Sequence, residues 1–466
     1  MQTDPAQASA ATLLELYARR RLSPVEALGA VRARIDRLNP RLNAFAAMNP
    51  SAEAEARASE TRWHAGRPLG PLDGVPCTVK DLLDMAGLPT RRGSHLTDAA
   101  PQPHDAPAVV GLRAAGAVIV GKTTTTEFGW KSPGDCPLHG ITRNPWNPDY
   151  TPGGSSAGAG AAGAAGFGPL HIGTDAGGSI RIPAAWCGLF GLKPTYGRIP
   201  QWPQGAFSAV ACAGPMTRTV RDAALMLGAM ARHDARDPLC LPDDRRDWTA
   251  GIEDGVAGLS VAVLDRPGFD APVDTEGRQA VARAAALLEQ AGAHVEAADP
   301  GLPDTRAVFG QVWGAALAKL VAGFPEAERH RLDAGLAEVA AAHAGLSAID
   351  YMAADALRVE SGHVMGRFMQ SYDLVLCPAV PRPPPRADAP TRDPLDALWT
   401  AWAPWTFAFN LSRQPAISVP MGLSGAGLPV AVQIVAAQFR DDLVLRAARA
   451  IERASPPPVW YGTEIA

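Results

Sequence analysis

At 466 residues, 47% of them hydrophobic and 19% charged, the chain can bury a sizeable core and is not a disordered one. A formal charge of −4 and a pI near 6.2 argue against a general nucleic-acid binder, and no run approaches the roughly 18 to 20 uninterrupted apolar residues of a membrane helix. The first twenty residues lack the basic stretch and apolar run of a secretion leader, and Cys77, Cys136, Cys187, Cys212, Cys240 and Cys377 form no C-x-x-C pair, so we expect a cytoplasmic protein with buried free thiols.

The predicted elements begin with two helices, "SAATLLELYARR" and "SPVEALGAVRARIDRL", the second with Ser23 as N-cap and Pro24 at its first position. A third helix, "AEAEARASETRWHAG", closes at Gly66. The texture then changes: "GVPCTVKD" (74–81) and "AVIVGK" (117–122) are short, β-branched apolar runs bounded by turn residues, with a helix, "PAVVGLRAAG", between them. Another short apolar run, "PLHIGTD", precedes Asp175. Further on come "LSVAVLD" (259–265), the helix "GRQAVARAAALLEQAG", "HVEAAD" and "YDLVLCPAV" (372–380). The chain ends in "PAISVPMGL", "LPVAVQIVAA" and a closing helix, "DDLVLRAARAIERA". This alternation predicts an α/β fold: one large mixed β-sheet covered by helices on both faces, which the chain re-enters late. "PAVPRPPPRADAPTRDP" (378–394) reads as a long surface loop. We expect a single domain over 1–466, with an N-terminal helical segment (1–66), a core (67–220) and the remainder of the sheet with pocket elements (221–466).

Lysine use is unusual. It occurs only at 80, 122, 131, 193 and 319, and the other 38 of the 43 basic residues are arginine. Lysine can shed its proton when buried and arginine effectively cannot, so lysines kept between 80 and 193 suggest a need for an amine there, with chance and packing as the competing account.

That region holds "TPGGSSAGAGAAGAAGF" (151–167), in which two signatures overlap. Gly158, Gly160 and Gly163 spell the dinucleotide fingerprint, but the residues before them make a poor strand and the nearest acid, Asp175, comes too early. Gly154, Ser156 and Gly158 spell a nucleophile elbow, but no downstream histidine stands in a suggestive setting. Repeated Ala and Gly more simply mean a helix packed tightly against another backbone. A third reading joins "GVPCTVKD", "TPGGSSAGAG" and "GTDAGGSIRIPAAWCGLFGLKPTYG". Glycines ahead of Ser179 let consecutive N–H groups converge as an oxyanion cradle, and Lys80, at the end of an apolar strand, is placed to act as a desolvated base.

From Gly153 to Pro194 the sequence resembles the amidase signature family, as do "AVIVGKTTTTEFG", "TRNPWNP", "GPMTRTVRDAALML", "RQPAISVP" and "GLPVAVQIV". The likeness covers nearly the whole chain. It implies that family's fold and a Lys–cisSer–Ser triad of Lys80, Ser155 and Ser179. Ser179 would be the nucleophile, Ser155 the relay, and the N–H groups of Ala176, Gly177, Gly178 and Ser179 the oxyanion hole. Ser156, Thr174, Asp175 and Arg181 match supporting positions. The resemblance implies an acyl-enzyme mechanism needing no metal or cofactor, with a small-molecule amide or carbamate as substrate, and a monomer or homodimer. One branch of the family is instead an amidotransferase subunit working in a complex; that branch typically has glutamine after the conserved arginine, where Ile182 stands here. A carbamate or ester hydrolase on the same triad is a further alternative. Trp130, Trp202, Trp313, Trp399, Trp402 and Trp405, with Cys136, are candidates for an aromatic-lined pocket suited to aryl amides; core packing is the competing role.

Overall fold

The computed structural model describes residues 4–243, 245–388, 401 and 403–460. The expected N-terminal helices form as Ala10–Ala18, Pro24–Leu42 and Ala52–His64. The second is opened by a reciprocal cap, in which Ser23 Oγ accepts from Glu26 N–H and the Glu26 carboxylate accepts from Ser23 N–H. The strands are β1 Phe45–Met48, β2 Pro76–Lys80, β3 Val118–Thr123, β4 Asp135–Cys136, β5 Gly140–Ile141, β6 Leu170–Asp175, β7 Phe190–Lys193, β8 Cys212–Thr217, β9 Ser260–Val263, β10 His294–Ala297, β11 Leu374–Pro378, β12 Ala416–Leu423 and β13 Pro429–Ala436.

Eleven of them form one mixed sheet, ordered β1-β3-β2-β6-β8-β7-β12-β13-β11-β9-β10, while β4 and β5 make a separate ribbon. β3–β2–β6 and β11–β9–β10 are parallel, and the pairs from β6 through β8, β7, β12 and β13 to β11 are antiparallel. The last two strands insert between β7 and β11, so the chain does re-enter one sheet late. Both faces are covered. Ile119, Leu376 and Ile434 pack with helices Val220–Met230 and Asp441–Ala454, while their neighbours Val120, Val375 and Val435 point the other way, into separate apolar clusters. This double burial makes the strands read as continuous apolar runs without alternation. Among the described residues no helix is long and apolar enough to cross a membrane.

The glycine-rich stretch becomes helix Ala157–Ala165, buried along its whole length. A Cβ on Gly158 would lie 2.3 Å from Ala44 O and 2.4 Å from Thr124 N, and one on Gly160 would lie 3.1 Å from Pro183 Cβ of helix Arg181–Cys187. Close approach of neighbouring backbone at Gly154 and Gly158, and of the Pro183 and Leu189 side chains at Gly160 and Gly163, therefore accounts for the glycines of both overlapping signatures.

Two expectations change. The Pro-rich segment is not a free surface loop in its described half: Thr151 N–H donates to Pro385 O and Trp186 Nε1 to Arg382 O, and Ala379 to Pro381 are buried. Its apolar ends and backbone carbonyls are used to cover the turn before Ser155. Sequence reading also gave no elements between 300 and 371, where helices Arg306–Ala322, Ala334–His343 and Ala348–Phe368 form.

Candidate active site

Strand β2 ends with Lys80 inside the molecule, and the turn ahead of helix Ala157–Ala165 brings two serines onto it. Lys80 Nζ lies 2.8 Å from Ser155 Oγ, 2.9 Å from Ser156 Oγ and 2.9 Å from Thr174 Oγ1. The Gly154–Ser155 peptide is cis. Lys80 is fully buried and forms no ion pair among the described residues. Desolvation pushes its pKa well below the ordinary lysine value, against a weaker opposing pull from the negative charge of Asp175.

Proton accounting separates the two serines. Ser156 Oγ donates to Thr174 O and accepts from Thr174 N–H, so its single proton is committed to a carbonyl. Ser155 Oγ has Lys80 as its side-chain partner and opens onto a cleft that Ser179 also lines. A neutral amine donates two hydrogen bonds and accepts one; with Ser156 able only to accept from Lys80, the lone pair is left for Ser155 or Thr174.

The loop before Ser179 is built around Asp175, at the end of β6. Its Oδ1 accepts from Gly178 N–H at 2.8 Å, Arg181 Nη2 at 2.9 Å and Asn410 Nδ2 at 2.9 Å. Its Oδ2 accepts from Ile180 N–H, Arg181 N–H and Arg181 Nε. Burial alone would raise this carboxyl's pKa, but the charge and hydrogen bonds of Arg181 outweigh it and hold the group below the usual carboxylate range. Arg181, itself fully buried, spends its remaining donors on Thr406 O, Gln433 Oε1 and Asn410 Oδ1. Thr406 Oγ1 also donates to Gly177 O, and Gly178, at φ +131°, has no room for a Cβ beside that hydroxyl.

This arrangement narrows the expected oxyanion set. Gly178 N–H is taken by Asp175, whereas the N–H groups of Ala176, Gly177 and Ser179 have no protein acceptor among the described residues. Sequence reading missed Thr406, Asn410 and Gln433. The signal was available: a lone amide in "TFAFNL" and another in "PVAVQIV" stand in otherwise apolar runs, where a buried amide needs a polar partner.

The cleft over Ser155, Thr174 and Ser179 has a volume of about 810 Å³, including its open mouth. Leu82, Leu83, Phe128, Trp202, Pro203 and Phe207 supply much of its apolar lining. Of the pocket candidates, Trp202 lines the cleft. Trp313 stands one layer back, stacked at 3.7 Å on Phe207, whose ring it supports. Trp130 and Cys136 are buried outside the lining, and Trp405 is in the core with Met365 and Phe409. These three satisfy the packing alternative, since their rings and thiol fill gaps between helices and loops. Trp399 and Trp402 lie outside the described residues. Four of the five lysines are buried: beside Lys80, Lys122 pairs with Asp81 at 2.7 Å, Lys131 with Asp135 and Asp333, and Lys193 donates to Pro194 O.

A family model described as Amidase matches residues 26–445. An acylamidase of Rhodococcus erythropolis is 37% identical over 464 residues, covering 96% of this chain and 95% of that protein. A glutamyl-tRNA(Gln) amidotransferase subunit of Geobacter metallireducens is 34% identical over 475 residues, covering 95% and 96%. Among solved structures, a bacterial aryl acylamidase of the amidase signature enzymes is 31% identical with a TM-score of 0.89, covering 97% of this chain and 96% of that one.

Proposed function

The chain belongs to the amidase signature family and is an amide-hydrolysing enzyme; from that premise we propose that it works as a stand-alone hydrolase of aryl and other apolar amides, through Ser179, Ser155 and Lys80. The observation that carries the proposal is a fully buried amine with three hydroxyls and no carboxylate, two of the hydroxyl residues, Ser155 and Thr174, lining the same cleft as Ser179.

In the proposed cycle, neutral Lys80 takes the proton of Ser155 as Ser155 takes that of Ser179, and Ser179 Oγ attacks the amide carbonyl. The developing oxyanion accepts from the free N–H groups of Ala176, Gly177 and Ser179, each such donor being worth about 2.7–4 kcal/mol of barrier. The proton held on Lys80 returns through Ser155 to the leaving amine, and water hydrolyses the acyl-enzyme by the same route. Ser156 and Thr174 position the amine; Asp175 and Arg181 position the loop. No resident metal or cofactor enters the scheme.

The apolar walls and the rings of Trp202, Phe128 and Phe207 favour aryl amides and anilides over small polar diamides. Carbamates and esters present the same carbonyl and belong in the same substrate panel. A stand-alone enzyme is preferred to an amidotransferase subunit because Ile182 follows Arg181 and because the rings lining the cleft suit an aryl group, which glutamine lacks.

The test is fluorophosphonate labelling of the purified chain, with the modified serine located by mass spectrometry, beside hydrolysis of a chromogenic anilide. Label on Ser179 and anilide hydrolysis without a partner are expected. Label on Ser156, or an unlabelled and inactive chain, would overturn the reading.

A further inference from the structure

Arg92 is the one charged residue among the described residues that line the cleft. Its backbone is fixed from both sides: Arg92 N–H donates to Asp81 O just beyond Lys80, and Arg92 O accepts from the N–H of Phe128, another lining residue. Its φ of +51° is a conformation that L side chains rarely adopt. The guanidinium, by contrast, donates no hydrogen bond to any described residue. Its nearest anion, Asp84, lies 3.6 Å away, inside ion-pair range and outside hydrogen-bond range, and Asp84 Oδ1 has no hydrogen-bond partner among the described residues. The Arg92 side chain is 31% exposed. Arg181, fully buried, shows how this chain treats a structural guanidinium, by satisfying it on every side. An arginine with its planar donor fork free of hydrogen bonds, lining a cleft with no other charged residue among those described, suits a carboxylate, which accepts two parallel N–H bonds from such a fork.

We infer that Arg92 is a specificity residue and that the preferred substrates are aryl amides carrying a carboxylate, the carboxylate on Arg92 and the ring among the aromatic residues that line the same cleft. This rests on the amidase reading above. It adds which amides the cleft selects, and it leaves the carboxylate's side of the scissile bond to be read from the experiment.

Two matched pairs test it. para-Acetamidobenzoate against para-methylacetanilide places the charge on the amine side; succinanilate against butyranilide places it on the acyl side. In the wild-type enzyme one of the two carboxylates is expected to exceed its neutral partner in kcat/KM by about tenfold or more, chiefly through KM. Arg92→Gln should collapse that ratio toward one, Arg92→Lys should keep part of it, and added salt should reduce it. Asp84→Asn removes the competing anion and should raise the ratio, which keeps the inference testable if Arg92→Gln does not fold. Ratios at or below one for both pairs in the wild type, a ratio that survives Arg92→Gln, or an Asp84→Asn ratio that falls would overturn the inference. Failure to cleave any of the four compounds would instead count against the amidase reading.

Discussion

Asp175→Asn isolates the buried ion pair that shapes the loop before Ser179. The substitution keeps the side chain's shape but replaces one acceptor oxygen with an NH₂ group. That group must face either Gly178 N–H, Arg181 Nη2 and Asn410 Nδ2, or Ile180 N–H, Arg181 N–H and Arg181 Nε. Three donors lose their acceptor whichever way the amide turns, and a fully buried guanidinium loses its counter-charge. Removing one partner of such a pair costs about 3–5 kcal/mol, against a total stability of about 5–15 kcal/mol. The depressed native pKa sets the pH signature. The ion pair's stabilisation is fully present above the unfolded carboxyl's value of about 3.9 and fades as pH falls through the lower native value. Denaturant melts of both proteins, followed by tryptophan fluorescence, should therefore show a wide gap at pH 7 that narrows on acidification below about pH 4. A variant within about 1 kcal/mol of wild type at pH 7 would refute the argument, as would a gap that widens in acid.

Lys80→Met should lower kcat/KM for an anilide by about 10²- to 10⁴-fold while leaving the melting temperature near wild type, because the buried methionine needs no desolvation. In the wild type, activity should fall as pH drops and Lys80 gains a proton, with the limb well below the ordinary lysine value of about 10.4; a limb near that value would contradict the desolvation argument. Phe207→Ala removes a cleft wall and the face stacked on Trp313, so KM for an anilide should rise about tenfold and that for acetamide much less. Gly158→Ala should abolish soluble expression or strongly lower the melting temperature, since its Cβ would strike backbone atoms of two segments, whereas Gly160→Ala, whose Cβ meets side-chain atoms at 3.1 Å, should be far milder.

The sequence and the structure agree most where local signals are strong. Ser23 and Pro24 announce the start of their helix, and the apolar runs ending at Lys80 and Asp175 are strands because both faces are buried. The central strands β7 and β8 were harder: "FGLK" and "CAGPMT" carry glycine and proline, which weaken strand patterning, and nothing local shows that Gly214 is needed because a Cβ would meet Leu192 O. The residues around Ser179 were legible through a resemblance, since no spacing rule links Lys80 to a serine 75 residues away. The pocket was legible only in kind. Tryptophan count suggests an aromatic cleft, but choosing Trp202 and Phe207 over Trp130 and Trp405 depends on which side of a wall each ring falls, and that is settled by contacts between distant segments.

The distribution of lysines has a practical side. Lys80, Lys122, Lys131 and Lys193 are sealed in the interior, and Lys319 alone is exposed. An amine-reactive support or dye should therefore take hold of the folded protein's lysines at that single point. Lys319 sits on helix Arg306–Ala322 next in sequence to Leu320, which lines the cleft, so coupling through lysine would put the tether on a helix that contributes to the cleft. Immobilisation away from that helix calls for a different handle, such as a lysine introduced on the far side of the sheet, with Lys319→Arg removing the unwanted one.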